Sequence, residues 1–175
     1  FTKKLFNNLD GHLLQSSQTE LELKKILNSP KYIKRFHPIY SDYPRKNKKN
    51  SSKEKLKLFS ENIILFFGII RDYKGLDILL KAISKLSKSN IDFHLIIAGE
   101  CYGNKETYKN LILELNIVQF VTWHDRYIPD KDIALYFSAA DIIVLPYRTA
   151  SQSGVLQIAY NYDLPAIVTN VGGLP

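Results

Sequence analysis

From Glu61 onward, short apolar runs alternate with segments whose apolar residues recur at helical spacing, and few folds accommodate that alternation. IILFFGII (63–70), FHLIIAG (93–99), VQFVTW (118–123), DIIVLPY (141–147) and PAIVT (165–169) predict five strands. Between them, KGLDILLKAISKLSKS (74–89) places Leu76, Ile78, Leu79, Ala82, Ile83 and Leu86 along one helical stripe. KETYKNLILELN (105–116), DKDIALYFSAA (130–140, with Asp130 as the expected N-cap) and SGVLQIAYNY (153–162) predict three further helices. A strand without polar alternation is buried on both faces, so helices must cover both sides of a parallel sheet. The expected fold class is α/β: a Rossmann-like parallel sheet with helices on both faces. In such sheets a ligand lies beyond the carboxyl ends of the strands.

The first 60 residues read differently. HLLQ (12–15) suggests a strand, and Ser17-Gln18-Thr19-Glu20 is a capping-box pattern opening the helix LELKKIL. After YIKRFHPIY comes RKNKKNSSKEKLK, where Arg45, Lys46, Lys48, Lys49, Lys53, Lys55 and Lys57 are opposed only by Glu54, within a formal net charge of +7. Two readings stand there: a solvated, mobile connector, or a surface for an anionic membrane. Nucleic acid is not expected as a partner, because no aromatic residue interleaves with the lysines to stack on bases. Residues 1–60 are read as the end of a preceding domain plus a basic linker, and 61–175 as the sheet domain. The chain opens on Phe1 and stops at Gly173-Leu174-Pro175 after a strand, so both ends are expected to be cut from a longer protein. The longest apolar run, 63–70, is too short to cross a bilayer. A lone Cys101 excludes an internal disulfide framework and a cysteine zinc site, and fits a reducing cytoplasm.

Two loops carry chemistry. Gly68-Ile69-Ile70-Arg71-Asp72-Tyr73-Lys74-Gly75 joins a strand end to a helix start. Gly68 lets a ligand approach the backbone, Arg71 offers a planar fork and Lys74 a mobile point charge for phosphate oxygens. Arg148-Thr149-Ala150-Ser151-Gln152-Ser153-Gly154 is small and polar and precedes another helix, so the amides of Ser153, Gly154 and Val155 face whatever lies over the sheet edge. Each loop alone also reads as an ordinary capped connection. Together they form a pyrophosphate cradle, with amides on one side and Lys74 on the other.

The order G-x-x-R-x-x-K-G, then Gly99-Glu100, A-A-D-I-I-V-L-P, S-G-V and P-A-I-V-T-N-V-G-G-L-P resembles retaining glycosyltransferase family 4, the group 1 glycosyltransferases, over residues 61–175. The resemblance implies the C-terminal, donor-binding half of a two-domain B-type fold. It implies transfer of a sugar from a nucleoside diphosphate to an acceptor hydroxyl with retention, in polysaccharide or glycolipid synthesis, with no metal or other cofactor. Lys74 falls on the family's diphosphate-contacting lysine. The family arginine directly follows the glycine, where this chain has Ile69 and carries Arg71 two positions on. Tyr127 and Ile128 fall where the base is held. The family's carboxylate pair, one touching the sugar and one the ribose, falls on Ala150 and Ile158, neither of them acidic. Glu100 and Gln152 are the remaining candidates for a sugar or ribose contact.

The resemblance further implies a glycan or lipid-linked acceptor and a cytoplasmic location, at the inner face of the membrane where the acceptor demands it. His94 is read as a packing or surface residue, and His124 with Asp125 as residues at the ligand edge that either pack or touch the donor. Two other functions stay open: a nucleotide-sugar epimerase on the same fold, and a non-catalytic nucleotide-binding relative.

Overall fold

A computed structural model describes residues 2–175. In chain order the elements are helix α1 (Thr2–Asn7), strand β1 (His12–Leu14), α2 (Ser17–Ile26), β2 (Tyr32–Lys34), α3 (Lys49–Lys55), β3 (Asn62–Phe67) and α4 (Leu76–Leu86). They continue with β4 (Phe93–Ala98), α5 (Lys105–Glu114), β5 (Val121–His124), α6 (Asp130–Ala139), β6 (Ile142–Leu145), α7 (Gly154–Asn161) and β7 (Ala166–Val168).

The main sheet is wholly parallel, in the order β5-β4-β3-β6-β7. Chain direction across the sheet therefore reverses between β3 and β6, which opens a crevice at their carboxyl ends. The unbroken apolar runs now have their reason. Ile63, Leu65 and Phe67 of β3 face one core with α6, α7 and the residues Leu56 and Leu58. Phe66 of β3, with Phe93, Leu95 and Ile97 of β4, faces a second core beneath α4 and α5.

Most element ends fall one to three residues inside the predicted spans. Two shifts have a clear cause. β3 stops at Gly68, whose φ of 95° is incompatible with a strand. The run 118–123 is split, because Val118–Phe120 forms a 3₁₀ turn before β5 begins. Asp130 is not the N-cap of α6: Pro129 holds that position with its fixed φ of −62°, and Asp130 is the first helical residue. The capping box of α2 is likewise one residue earlier than expected. Ser16 Oγ accepts from the Thr19 N–H at 3.1 Å, and Thr19 Oγ1 accepts from the Ser16 N–H at 3.3 Å.

The N-terminal residues form a small parallel pair, β1 with β2, over a cluster of Leu14, Leu23 and Leu27. The basic stretch is not a solvated connector. It folds as α3, packed on α6, with Ser52 buried. The Asn47 N–H donates to Ser138 Oγ at 2.9 Å, Lys49 pairs with Asp141, and the Tyr162 hydroxyl donates to the Pro44 carbonyl at 2.7 Å. Among the described residues, no helix is long and apolar enough to cross a membrane.

Candidate functional site

The crevice between β3 and β6 is built from the two loops singled out in the sequence. After Gly68 the chain makes a 3₁₀ turn, Asp72–Lys74, closed by Gly75 in the left-handed region at φ 69°. A side chain at residue 75 would collide with the Pro146 carbonyl oxygen, so glycine is what lets this turn press against the end of β6. Lys74 is thereby folded inward, only 8% exposed. Its Nζ lies 3.1 Å from where a Cβ on Gly68 would sit and 5.6 Å from the centre of the Tyr147 ring. Among the described residues it has no hydrogen bond and no carboxylate partner. Burial, and then the nearby Arg71 charge, pull its pKa from 10.5 to about 8. Near neutral pH it stays protonated, a buried cation with no counter-charge among the described residues.

On the facing side, Ser153 caps α7, its Oγ accepting from the Leu156 N–H at 3.3 Å. The N–H groups of Gly154 and Val155, at the start of α7, have no partner among the described residues. Val155 Cγ2 approaches the Gly68 position to 3.2 Å, and the Tyr40 ring lies against Gly154. Tyr147 stands between the loops, its hydroxyl 3.4 Å from Ser153 Oγ and its pKa pushed up to about 12 by burial. Gly68, Lys74, Ser153, Gly154 and Val155 therefore converge as the sequence implied. Arg71 is less direct: its exposed guanidinium packs 5.8 Å from the Tyr102 ring centre.

Beside this cradle, between the ends of β3 and β4 and the start of α6, lies a cleft of about 170 Å³. Glu100, Tyr127 and Ile128 line it, as does Ile158, so the predicted base and ribose positions meet in one place. Gln152 does not join them. Its Nε2 donates to the Gln15 carbonyl at 2.6 Å, which turns the side chain towards the N-terminal segment. His124 and Asp125 both have partners within the fold. The His124 Nδ1 lies 2.8 Å from the Tyr136 hydroxyl, and Asp125 pairs with Lys105 at 2.6 Å while accepting from the Cys101 N–H. His94 hydrogen-bonds Thr122 across β4 and β5 at 2.8 Å, a packing role as read.

Two participants were missed. Arg148 joins the loops, its guanidinium meeting both carboxylate oxygens of Asp77 at 2.8 and 2.7 Å. Tyr43 lines the cleft from a segment far away in sequence. No local motif signals either residue, since each acts through a contact made only in the folded chain.

Residues 47–175 match the family model described as Glycosyl transferases group 1. The chain belongs to that family. Among its relatives, the D-inositol 3-phosphate glycosyltransferase of Corynebacterium aurimucosum is 31% identical over 118 residues, 65% of this chain and 28% of that protein. An uncharacterized glycosyltransferase of Haemophilus influenzae is 32% identical over 118 residues, 67% of this chain and 32% of that one. The chain thus spans about a third or less of the length of these curated relatives. Among solved structures, the sucrose-phosphate synthase of Thermosynechococcus elongatus superposes with a TM-score of 0.82 at 23% identity, covering 99% of this chain and 44% of that one. Anabaena HepE, solved with UDP and glucose, gives a TM-score of 0.78 at 16% identity, covering 96% and 46%. These likenesses show the fold: the Rossmann-like half of the two-domain B-type architecture of group 1 glycosyltransferases.

Proposed function

We propose that the protein transfers a sugar from a nucleoside diphosphate donor to an acceptor hydroxyl with retention of configuration, in polysaccharide or glycolipid synthesis. The observation that carries this is Lys74, a buried cation with no counter-charge among the described residues, whose Nζ closes on Gly68 together with Val155 at the start of α7, at the point where the sheet reverses direction. Breaking the bond from the sugar to the diphosphate leaves an electron pair on the phosphate oxygen. Lys74 and the α7 amides are fixed in place before that charge develops, so they lower the barrier without reorganising. They supply the positive charge themselves, and the reading asks for no cofactor. The acceptor is a glycan or a lipid-linked sugar, and the protein works in the cytoplasm, at the inner membrane face where the acceptor is lipid-linked.

A thermal-shift panel of UDP, GDP, ADP and CMP tests the donor site. A nucleotide at ~100 times its Kd adds ~2.7 kcal/mol of stability, a shift of several degrees. No stabilisation by any of them would remove the reading. A second reading, a relative that binds nucleotide without transferring sugar, is favoured by the buried, apolar Ile158 in the cleft. Sugar transfer in a product assay separates the two.

A further inference from the structure

The cleft beside the phosphate cradle has a particular chemistry. Its floor is apolar, made by Phe67, Ile128, Ile133 and Ile158. Its rim carries four polar heads, those of Tyr43, Glu100, Tyr127 and Asp130, and no lysine or arginine. Among the described residues, none of these four side chains makes a hydrogen bond or an ion pair. Asp130 is free because Pro129, not Asp130, occupies the cap position of α6. It faces the tyrosines: burial, then the Asp130 carboxylate, then Tyr40 and Tyr127 push the Tyr43 phenol up.

At about 170 Å³ the cleft is too small for a whole nucleotide sugar, since sites for such ligands run to ~300–1,000 Å³. An apolar slot with two aromatic rings on its walls suits one planar heterocycle. The Asp130 side chain then decides which heterocycle, because carboxylate oxygens accept hydrogen bonds. Guanine presents two adjacent donors on one edge, N1–H and the 2-amino group, which fit a single carboxylate in a paired geometry. Uracil presents one N–H between two carbonyl oxygens that a carboxylate repels. Adenine and cytosine present one amino group beside a ring nitrogen that also repels it.

We infer that this cleft reads guanine through the Asp130 carboxylate, between Tyr43 and Tyr127, so that the donor is a guanosine diphosphate sugar. The inference rests on the donor reading above and names its base. It assigns the selecting role to Asp130 rather than Glu100, whose backbone carbonyl accepts from the Ile70 N–H at 2.9 Å in the loop that leads to Lys74.

Calorimetric titration of GDP, UDP, ADP and xanthosine diphosphate into the protein and into Asp130→Asn tests it. GDP should bind the unaltered protein at least about tenfold more tightly than UDP or ADP, the worth of one additional charge-assisted hydrogen bond. Asp130→Asn should weaken GDP about ten- to hundredfold and leave UDP within about threefold. The same variant should gain xanthosine diphosphate, because an amide N–H can donate to the 2-carbonyl that replaces the guanine amino group. That gain cannot come from a damaged fold. Equal binding of GDP and UDP by the unaltered protein overturns the base assignment and leaves the donor site standing. So does loss of both by Asp130→Asn, or a GDP preference abolished by Glu100→Gln instead. Failure of every nucleoside diphosphate to bind removes the donor reading itself.

Discussion

The backbone N–H of Arg148 donates to the carbonyl of Tyr73 across 2.7 Å, and this bond ties the loop after β3 to the loop after β6. The Arg148 side chain reinforces it, reaching the Asp72 carbonyl at 2.6 Å and both oxygens of Asp77. Gly75 closes the contact from the other side against Pro146. The cation of Lys74 and the amides of α7 therefore keep a fixed separation before any ligand arrives, which is the arrangement that makes electrostatic stabilisation effective.

Two substitutions in this joint should behave differently. Arg148→Ala removes a partly exposed pair and should cost only about 1 kcal/mol of stability. It should nevertheless weaken diphosphate binding severalfold, since the loops lose their side-chain tie. Gly75→Ala forces a Cβ into the Pro146 carbonyl at a left-handed φ and should cost about 2–4 kcal/mol. Urea denaturation beside nucleotide titration checks both; an Arg148→Ala protein that binds diphosphate normally would show that the joint does not position the site.

Asp141 should matter more than its surface position suggests. Its Oδ2 accepts from the Ile63 N–H at 2.9 Å, at the start of the central strand, while Oδ1 meets Lys49 of α3. Asp141→Ala leaves a half-buried amide unpaired and detaches α3, for a loss of about 1–3 kcal/mol. Lys49→Ala removes only an exposed charge pair and should cost under about 1 kcal/mol. Equal losses in denaturation would place the energy in the ion pair and not in the strand.

The sheet was legible because burial on both faces demands unbroken apolar runs such as Ile63–Phe67, and nothing in the tertiary structure opposes that demand. The meeting of the two loops was legible too, because Gly68, Lys74 and Gly154 sit at strand ends and helix starts that follow from the same pattern. Composition misled at residues 49–55. Seven residues of lysine, asparagine, serine and glutamate carry no apolar stripe, and only the docking of Ser52 and Leu56 against the α6 side makes them a helix. Gln152 and Tyr43 were opaque for a related reason. Each is placed by a partner more than 20 residues away, Gln15 for the one and the cleft wall for the other.

Ribose recognition should be weak. Ile158 is 6% exposed and lines the cleft, and it offers no acceptor to the ribose hydroxyls. The 2′-deoxy form of whichever nucleoside diphosphate binds should do so within about a factor of ten of the ribose form, under ~1.4 kcal/mol. A hundredfold penalty in competition titrations would assign the ribose to another group, with Glu100 the first to test.

Lys74 makes the sharpest prediction, because its stability effect and its binding effect have opposite signs. In the unfolded chain the amine holds its proton up to about pH 10.5, whereas in the folded protein it holds it only up to about pH 8. Below pH 8 both states are protonated, and the buried charge is a constant cost to the fold. Between pH 8 and 10.5 the unfolded state carries the extra proton, so the fold gains stability as pH rises, by about 3 kcal/mol across the window. Lys74→Met keeps the volume and removes the charge. It should be more stable than the unaltered protein near pH 7, and the difference should shrink towards pH 10. The same variant should bind nucleoside diphosphate about 1.5–3 kcal/mol more weakly while binding the nucleoside unchanged. At pH 9 the unaltered protein should take up protons as the diphosphate binds, because the ligand restores the charge that burial suppresses; calorimetry in two buffers of different ionisation enthalpy measures that uptake. A Lys74→Met protein less stable at neutral pH, or equal loss for nucleoside and diphosphate, would mean that Lys74 already has a counter-charge in the fold and does not await one from the donor.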